Sequence, residues 1–401
     1  MARRSGSGSS GRSTGRAVTG KATVGAVPPV GPPKRKRSAI PRWARLCTIL
    51  GAVLMVASGG LLVTSEALLA RYEGAVTTED LFGDGAGAEP KTDIKGPLNI
   101  LLVGIDPRDK TTLPLADSIM IMHIPAGLDR GYLFSLPRDL LVDIPAFPKA
   151  NYNGGRDKLN AAMSHGSRVP DGGVPDRAKG FELLSKTVSN YTGIARFDAG
   201  AIVNFQGFKK IVDAMGGVTM YVDTKEVLSE HLQPNGKARP MRDCGGCAHP
   251  YTGPQARYTK GTHTFKGWQA LDYVRQRYGL PNGDYDRQRH QQQFVRAMAQ
   301  QMLSKNVVTD LPKLDKVVRA AGESLVFNGR GHGVADFAFA LRGMRQDSIT
   351  MIKLEGGGVN DGGKYAGEAL KPVARELFTA IRSDQVDAFI GAHPEMVNRD
   401  K

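Results

Sequence analysis

Short apolar runs bounded by turn residues dominate the part of the chain that follows residue 97. Such runs predict strands that are buried on both faces of a sheet. The clearest three are Asn99–Ile105, Ser118–Ile124 and Gly131–Leu136. Turn residues fill the loop Pro125–Gly131, so we expect an antiparallel connection between the second and third strands. Further strand candidates are Val218–Val222 and Ser348–Leu354.

Apolar residues recur at helical spacing in the segments between these runs. Phe181, Leu184 and Val188 share one face of a helix predicted over 178–190. Other helices are predicted over 205–215, 286–304, 310–322 and 364–382. This mixture predicts one α/β domain with a central sheet covered on both faces. Residues 227–262 are rich in Gly and Pro and lack a pattern, so we expect a long surface loop or insertion there.

The first 95 residues lack these patterns and divide into three segments. Residues 1–45 are rich in Ser, Gly, Pro and Arg and are predicted to be a disordered basic tail. Residues 46–70 include the uncharged stretch Leu46–Ser65, which is long enough to span a bilayer as a helix. Residues 71–95 are polar and Gly-rich, and we expect a tether to a folded domain over 96–390.

The net charge of +15 comes mostly from the basic tail, which contains eleven Lys or Arg and no acid. A basic arm can bind nucleic acid, but it is also the usual cytoplasmic flank of a membrane anchor. An uncharged span follows it, and the first acid is Glu66. We therefore expect a single-pass protein of the cell membrane with a cytoplasmic N-terminus, an extracellular domain and no nucleic-acid partner. A cleaved signal peptide and a buried core helix are the alternatives for the span.

The chain has three cysteines, of which Cys47 lies in the predicted span. Cys244 and Cys247 would lie outside the cell, where an oxidising environment favours a small structural disulfide. Half of a zinc site with His249 or His263 is an alternative, although no second Cys pair is present. Free thiols are the remaining alternative.

Acidic residues stand at the ends of the first two predicted strands. Asp106 and Arg108 follow the first strand, and Asp117 directly precedes the second. Ligand sites of α/β proteins lie beyond strand ends, and two carboxylates at one edge repel each other unless a cation lies between them. Mg²⁺ that shares oxygen ligands with a phosphate suits such a pair. The alternative is that each Asp only caps a turn.

Arginines accumulate at two further places. Arg138 follows the third strand beside Asp139, and Arg275 and Arg277 precede a group that contains Arg287 and Arg289. One guanidinium group can donate hydrogen bonds to two phosphate oxygens at once, so these arginines suit a clamp for an anion with several oxygens. Surface ion pairing of Arg138 and a solvated basic face are the alternatives.

The start of the helix predicted over 286–304 carries part of this chemistry. Asp284 suits its N-cap, and Arg287 lies in the first turn, where the positive helix end disfavours a cation unless an anion is near. We expect Arg275 and Arg277 to point to one face of an extended segment. Helical spacing groups Arg287, His290 and Gln291 on one side of the helix, and Arg289 with Gln293 on another.

The order of these clusters along the chain resembles that of the LytR-CpsA-Psr family of cell-wall glycopolymer ligases. The resemblance covers about residues 97–325. Leu115 departs from the pattern, because many members have Arg two residues before the second Asp, and Ser118 replaces a frequent Thr. The matching stretches are Asn99–Asp106, Ala116–Ser118, Ser135–Asp139, Asp157–Ala162, Val203–Val218, Gly267–Arg277 and Gly283–Arg287.

The resemblance implies a three-layer α/β/α sandwich with a central mixed sheet and a hydrophobic tunnel for a polyprenyl chain. It also implies a phosphotransferase that moves a glycopolymer phosphate from a polyprenyl (undecaprenyl) pyrophosphate carrier to peptidoglycan. A polyprenyl-pyrophosphate hydrolase is one alternative. A non-enzymatic sensor of wall or lipid, or a transcription attenuator, is another. Teichoic acid, teichulosonic acid, capsule and arabinogalactan all stay open as the polymer.

The resemblance also implies a role for each candidate residue. Asp106 and Asp117 correspond to the pair that holds Mg²⁺ against the pyrophosphate. Asp284 corresponds to an acid near the catalytic arginines, with a role as base left open, and Arg108 could supply the contact that Leu115 lacks. The pyrophosphate clamp corresponds to Arg138, Arg275, Arg277 and Arg287.

Overall fold

The computed structural model describes residues 77–83, 93–107, 109–304, 316–317, 319–345 and 347–398. The predicted basic tail and membrane span lie outside these residues, as do Arg108 and most of the helix predicted over 310–322. Within the described part of the chain, no helix is both long and apolar enough to cross a membrane.

An eight-stranded mixed sheet forms the centre of the domain. The three apolar runs form β2 (Leu98–Ile105), β3 (Ala116–Ile124) and β4 (Gly131–Leu136), which pair antiparallel, as predicted. The other members are β1 (Thr77–Thr78), β7 (Ala199–Asn204), β10 (Leu325–Asn328), β11 (Ile349–Ile352) and β14 (Val397–Asn398). Their order is β1-β10-β7-β2-β3-β4-β11-β14, in which β7 runs parallel to β2 and β11 parallel to β4.

The described part of the chain also contains three two-stranded sheets. They pair β5 (Leu141–Ile144) with β6 (Gly155–Lys158), β8 (Val218–Leu228) with β9 (Arg257–Phe265), and β12 (Gly356–Asp361) with β13 (Lys364–Leu370). The helices whose bounds the described residues define are α1 (Leu159–Gly166), α2 (Arg177–Thr192), α3 (Phe205–Ala214), α4 (Gly267–Arg275), α5 (Asp284–Ser304), α6 (Val334–Ala340), α7 (Val373–Arg382) and α8 (Val386–Ala392).

Helices pack on both faces of the central sheet, which confirms the predicted mixed α/β architecture. On one face, Leu101, Val103 and Ile121 belong to a closely packed core that includes side chains of α1, α2 and α7. On the other face, Met122 and Leu133 belong to a core that includes side chains of α5 and α6. The sheet is therefore the middle of three layers.

The sheet face under α5 is the less completely covered of the two. Ile100 and Leu102 of β2 are only half-buried, although Leu101 and Val103, which alternate with them, are buried on the opposite face. Val203 of β7 and Phe327 of β10 are half-buried as well. Apolar side chains in the middle of a sheet are normally packed to high density. The tunnel implied by the resemblance stays a prediction, and this face is where it would fit.

The residues after β1 correct the predicted boundary of the tether. Thr77 and Thr78 pair with β10 at one edge of the sheet, and Leu81 and Phe82 are buried in the core. The folded domain therefore begins before residue 96. This segment is too short for a periodic pattern of apolar residues to be recognised, because Gly-rich sequence follows it.

Two other segments differ from their predictions. Residues 364–370 form a strand rather than the start of a helix, because Gly362 and Gly363 make a hairpin turn at positive φ. The region predicted as a loop over 227–262 is shorter, because β8 and β9 extend into it and leave residues 229–256 between them. That loop contains the predicted disulfide between Cys244 and Cys247.

Candidate functional site

The candidate residues meet at one edge of the central sheet, the edge formed by the ends of adjacent strands, because of the directions in which these strands run. β3 runs antiparallel to both of its neighbours, so its first residues adjoin the last residues of β2 and β4. Gly104 pairs with Ser118, and Ile119 pairs with Leu136. Asp106, Asp117 and Arg138 therefore emerge at the same edge from three adjacent strands.

Asp117 and Arg138 form the central ion pair of this edge. Arg138 Nη1 lies 2.6 Å from Asp117 Oδ1, and both side chains are mostly buried. Burial lowers the pKa of Arg138, but the charges of Asp117, Asp139 and Asp284 outweigh it, so the net shift is upward. Lys158 Nζ lies 3.4 Å from Asp139 Oδ1, which adds a second cation behind the pair.

Arg287 is the most deeply buried cation of the site. Its Nη2 lies 2.7 Å from Asp284 Oδ1, while its buried Nε has no hydrogen-bond partner among the described residues. Burial lowers the pKa of Arg287, Asp284 and Asp117 oppose that shift, and Arg138 and Arg277 reinforce it. A buried guanidinium whose donors are not all used, and which lies near other cations, is arranged to receive an anion.

A second ion pair flanks the first. Arg275 Nη2 lies 3.1 Å from Asp106 Oδ2, and the guanidinium lies 4.4 Å from the ring centre of Phe205. Arg277 lies 5.4 Å from the ring centre of Tyr278. Each guanidinium therefore packs against an aromatic ring, an arrangement that orients a cation while leaving donor groups accessible.

Helix α5 holds Arg287 in place through contacts on two of its sides. Ser118 Oγ donates a hydrogen bond to Gln291 Oε1 at 2.9 Å, which ties the helix to the start of β3. On another side, Arg289 and Gln293 both donate to Asp223 of β8, as their predicted grouping implies. The helix is thus fastened to the central sheet and to β8 at once.

The LytR_cpsA_psr family model matches residues 69–382, which is most of the chain and contains every candidate residue. The chain belongs to the LytR-CpsA-Psr family. The match also includes residues 77–83, in agreement with their packing against the sheet.

Relatives in the LytR-CpsA-Psr family differ considerably in sequence. The cell wall biosynthesis protein LcpA of Corynebacterium glutamicum is 27% identical over 361 residues, which are 84% of this chain and 62% of LcpA. The Enterococcus faecalis protein named polyisoprenyl-teichoic acid–peptidoglycan teichoic acid transferase TagU is 28% identical over 258 residues, which are 64% of this chain and 70% of TagU. This chain thus spans less than two thirds of the length of LcpA.

A solved structure shows a similar fold. The Streptococcus agalactiae protein gbs0355 superposes with a TM-score of 0.53 at 23% identity, over 72% of this chain and 88% of that chain. At this identity the likeness concerns the fold alone. It agrees with a central mixed sheet for a LytR-CpsA-Psr domain.

Two local predictions about the site are wrong in detail. Arg275 is the last residue of α4 rather than part of an extended segment, so it and Arg277 do not follow the strand alternation. Asp284 is the first residue of α5 rather than its N-cap. Leu115 is 42% exposed and contributes no charge where many LytR-CpsA-Psr proteins have Arg.

Sequence reasoning missed two residues that support the site. Lys158 and Phe205 contact Asp139 and Arg275, respectively. Both lie in stretches that match the LytR-CpsA-Psr pattern, but neither has a chemical signal of its own. Only the fold brings them to the sheet edge. Gln291 was grouped with Arg287 from the sequence, but its contact with Ser118 was not predicted.

The fit of Mg²⁺ to this edge depends on two carboxylates. Among the described residues, no group of three or more His, Cys, Asp or Glu side chains could hold a metal ion. Mg²⁺ that binds a phosphate commonly uses only one or two protein carboxylates and completes its shell with water and phosphate oxygens. Asp106 and Asp117 offer hard oxygen ligands of this kind, so they are compatible with the ion.

His290 of α5 gives the site a pH-dependent support. Its ring is fully buried and stacks on Tyr273, with centroids 4.6 Å apart, and burial together with Arg289 lowers its pKa to about 4, against an ordinary value of 6.5. As the pH falls from 6.5 to 4, the imidazole of His290 is protonated in the unfolded chain but stays neutral in the folded protein. The free energy of unfolding therefore decreases over this pH range.

Replacing His290 should accordingly flatten the loss of stability in acid. We expect wild-type protein to lose roughly 2 kcal/mol more of its unfolding free energy than His290→Gln between pH 7 and pH 4.5. Urea unfolding at both pH values measures this difference, with His263→Gln on β9 as the matched control. Equal acid losses in wild type and His290→Gln would contradict a buried neutral imidazole.

Proposed function

We propose that this protein transfers a phosphate-linked glycopolymer from a polyprenyl pyrophosphate carrier to peptidoglycan. The observation that carries the proposal is the buried Arg287, whose Nε has no hydrogen-bond partner among the described residues and which lies close to the charges of Asp284, Asp117, Arg138 and Arg277. A pyrophosphate has the charge and the number of oxygens that such a cage requires. The names of LcpA and TagU support a role in wall assembly.

The proposed reaction is a phosphoryl transfer that depends mainly on positioning and charge. A peptidoglycan hydroxyl attacks the phosphorus next to the sugar, forming a new P–O bond. The bond from that phosphorus to the bridging oxygen breaks, and polyprenyl phosphate leaves with the electron pair. Arg138, Arg277 and Arg287 stabilise the oxygens on which negative charge develops. Asp284, paired with Arg287, is the proposed acceptor of the hydroxyl proton.

We propose that Asp106 and Asp117 hold Mg²⁺ against the donor. When bound, the ion would neutralise negative charge on the pyrophosphate oxygens. In its absence each acid faces an arginine, Asp106 facing Arg275 and Asp117 facing Arg138. These pairs keep the two like charges stable at one edge until a cation and a phosphate bind together.

The half-buried sheet face under α5 is the proposed site of the isoprenoid tail. Ile100, Leu102 and Phe327 present apolar surface there that is not fully covered. Burying such surface against a lipid chain is favourable by about 25 cal/mol per Å². A membrane anchor over 46–70 with the domain outside the cell would keep the domain close to a lipid substrate.

Asp117→Ala should abolish transfer. The substitution removes both the partner of Arg138 and a proposed metal ligand, so we expect kcat/KM to fall by at least about 100-fold. The assay uses the full chain in detergent micelles with a labelled undecaprenyl-pyrophosphate glycan, peptidoglycan and Mg²⁺. Asp347→Ala, which changes an exposed acid, is the matched control. Unchanged transfer by Asp117→Ala would rule out its proposed role.

The same assay separates transfer from hydrolysis of the carrier. Wall-bound label that requires peptidoglycan indicates transfer, whereas label released equally with and without peptidoglycan indicates a polyprenyl-pyrophosphate hydrolase.

Metal removal tests the proposed role of Asp106. Chelation with EDTA should reduce transfer at least about tenfold, and added Mg²⁺ should restore it. Asp106→Asn should raise the Mg²⁺ concentration for half-maximal activity by about tenfold or more, because it removes a charged ligand. Full activity in EDTA would refute the metal proposal while leaving the arginine cage intact.

A further inference from the structure

A polar cavity of about 370 Å³ lies beside the first turns of α5. Tyr285, Gln288, Arg289 and Gln292 line it from one helix face, at the spacing i, i+3, i+4 and i+7. The opposite wall comes from residues that follow β11, together with Asn398 of β14.

Strand order places this cavity near the arginine cage. β11 runs parallel to β4, so its end lies at the same sheet edge as Arg138. β11 is two strands from β3, and neighbouring strands lie about 4.8 Å apart, so the end of β11 lies about 10 Å from the strand of Asp117. The residues that directly follow β11 line the cavity, within reach of a sugar attached to a phosphate in the cage.

The charged groups of the cavity already have partners. Lys353 and Lys371 each lie 2.5 Å from Glu355. Arg289 forms an ion pair with Asp223 and lies 3.6 Å from Asp286. Because these charges compensate one another, the cavity favours a neutral polar ligand over a second phosphate.

Two carboxamides offer hydrogen-bonding groups to such a ligand. Gln288 Nε2 donates to Asp284 Oδ2 at 3.1 Å, and Asn398 Nδ2 donates to Gln292 Oε1 at 3.1 Å. The carboxamide oxygens of Gln288 and Asn398 accept no hydrogen bond from the described residues. Such oxygens accept hydrogen bonds from hydroxyl and acetamido groups.

Tyr285 supplies an aromatic wall whose position is fixed from two sides. Its hydroxyl donates to Glu368 Oε2 at 3.0 Å. A Cβ on Gly356 would lie 2.5 Å from that hydroxyl, so only glycine lets the hairpin approach the ring this closely. A fixed aromatic ring next to carboxamides combines apolar and polar contact in one small space, which suits a ligand with both kinds of surface.

We propose that this cavity binds the neutral sugar ring next to the reacting phosphate. This inference deepens the proposed function and rests on it, since the phosphate would lie in the arginine cage. Gln288 would link the two subsites, because the same side chain lines the cavity and donates to Asp284. The sugar could belong to the donor or to the acceptor.

The test compares a polyprenyl pyrophosphate without sugar and the same lipid carrying one N-acetylglucosamine. The dissociation constant of the lipid without sugar is divided by that of the lipid with sugar, both measured with the full chain in micelles. This ratio reports how much the sugar strengthens binding, and a change in the arginine cage affects both constants and cancels. Asn398→Ala and Gln288→Met should each lower this ratio about 3- to 10-fold, the value of one hydrogen bond. Asn190→Ala, an exposed residue of α2, is the matched control.

The outcomes distinguish the source of the sugar. A lower ratio assigns the cavity to the donor sugar. An unchanged ratio with a KM for a peptidoglycan fragment raised by a similar factor assigns it to the acceptor sugar. If both quantities are unchanged in both variants while transfer persists, the cavity proposal is overturned and the proposed function stands.

A separate measurement covers the failure of the proposed function. If wild type neither binds nor transfers the lipid, saturation-transfer NMR with N,N′-diacetylchitobiose tests the cavity directly. A signal in wild type that is lost in Asn398→Ala supports a sugar site of another purpose. No signal in wild type overturns the inference.

Discussion

The burial of Arg287 in the first turn of α5 is the constraint on which the rest of the site depends. Moving a charge out of water costs several kcal/mol unless partners compensate it, and the positive end of a helix adds to that cost. Asp284 compensates the charge in part, but Arg138 and Arg277 act against it. The structure tolerates this cation because α5 is fastened to the sheet through Gln291 and to β8 through Arg289. A bound anion would neutralise the remaining positive charge around Arg287. The folded protein is therefore arranged to bind a ligand with several phosphate oxygens.

The strand arrangement supplies the opposing half of the site. Because β3 is antiparallel to both neighbours, acids from β2 and β3 and an arginine after β4 share one edge. The two sheet faces then differ in packing. One is a dense core, whereas Ile100 and Leu102 under α5 stay half-buried. A charged edge above an incompletely covered apolar face suits an amphiphilic ligand with a polar head and a long apolar tail.

The sequence predicted much of this arrangement where local signals were strong. Short, continuous apolar runs marked β2, β3 and β4, and the polar residues at their ends marked Asp106, Asp117 and Arg138. β7 escaped prediction because Ala199–Asn204 begins with small residues that carry little hydrophobic signal. Arg275 was misassigned to an extended segment because the apolar residues of α4 pack in a separate core with α3, α5 and the β8–β9 sheet, contacts that no local pattern reveals. Supporting residues such as Lys158 and Phe205 reach the site through tertiary contacts alone, so no local pattern could identify them.

Binding of a polyprenyl pyrophosphate without sugar tests the central account most directly, because it isolates the arginine cage from catalysis and from the acceptor. Calorimetric titration would compare wild type with Arg287→Met, using the corresponding polyprenyl alcohol as the uncharged reference. The account predicts that Arg287→Met loses at least about tenfold in affinity for the pyrophosphate and little for the alcohol. Equal affinity of both proteins for the pyrophosphate would show that the buried arginine does not bind the carrier, and the proposed site would be wrong.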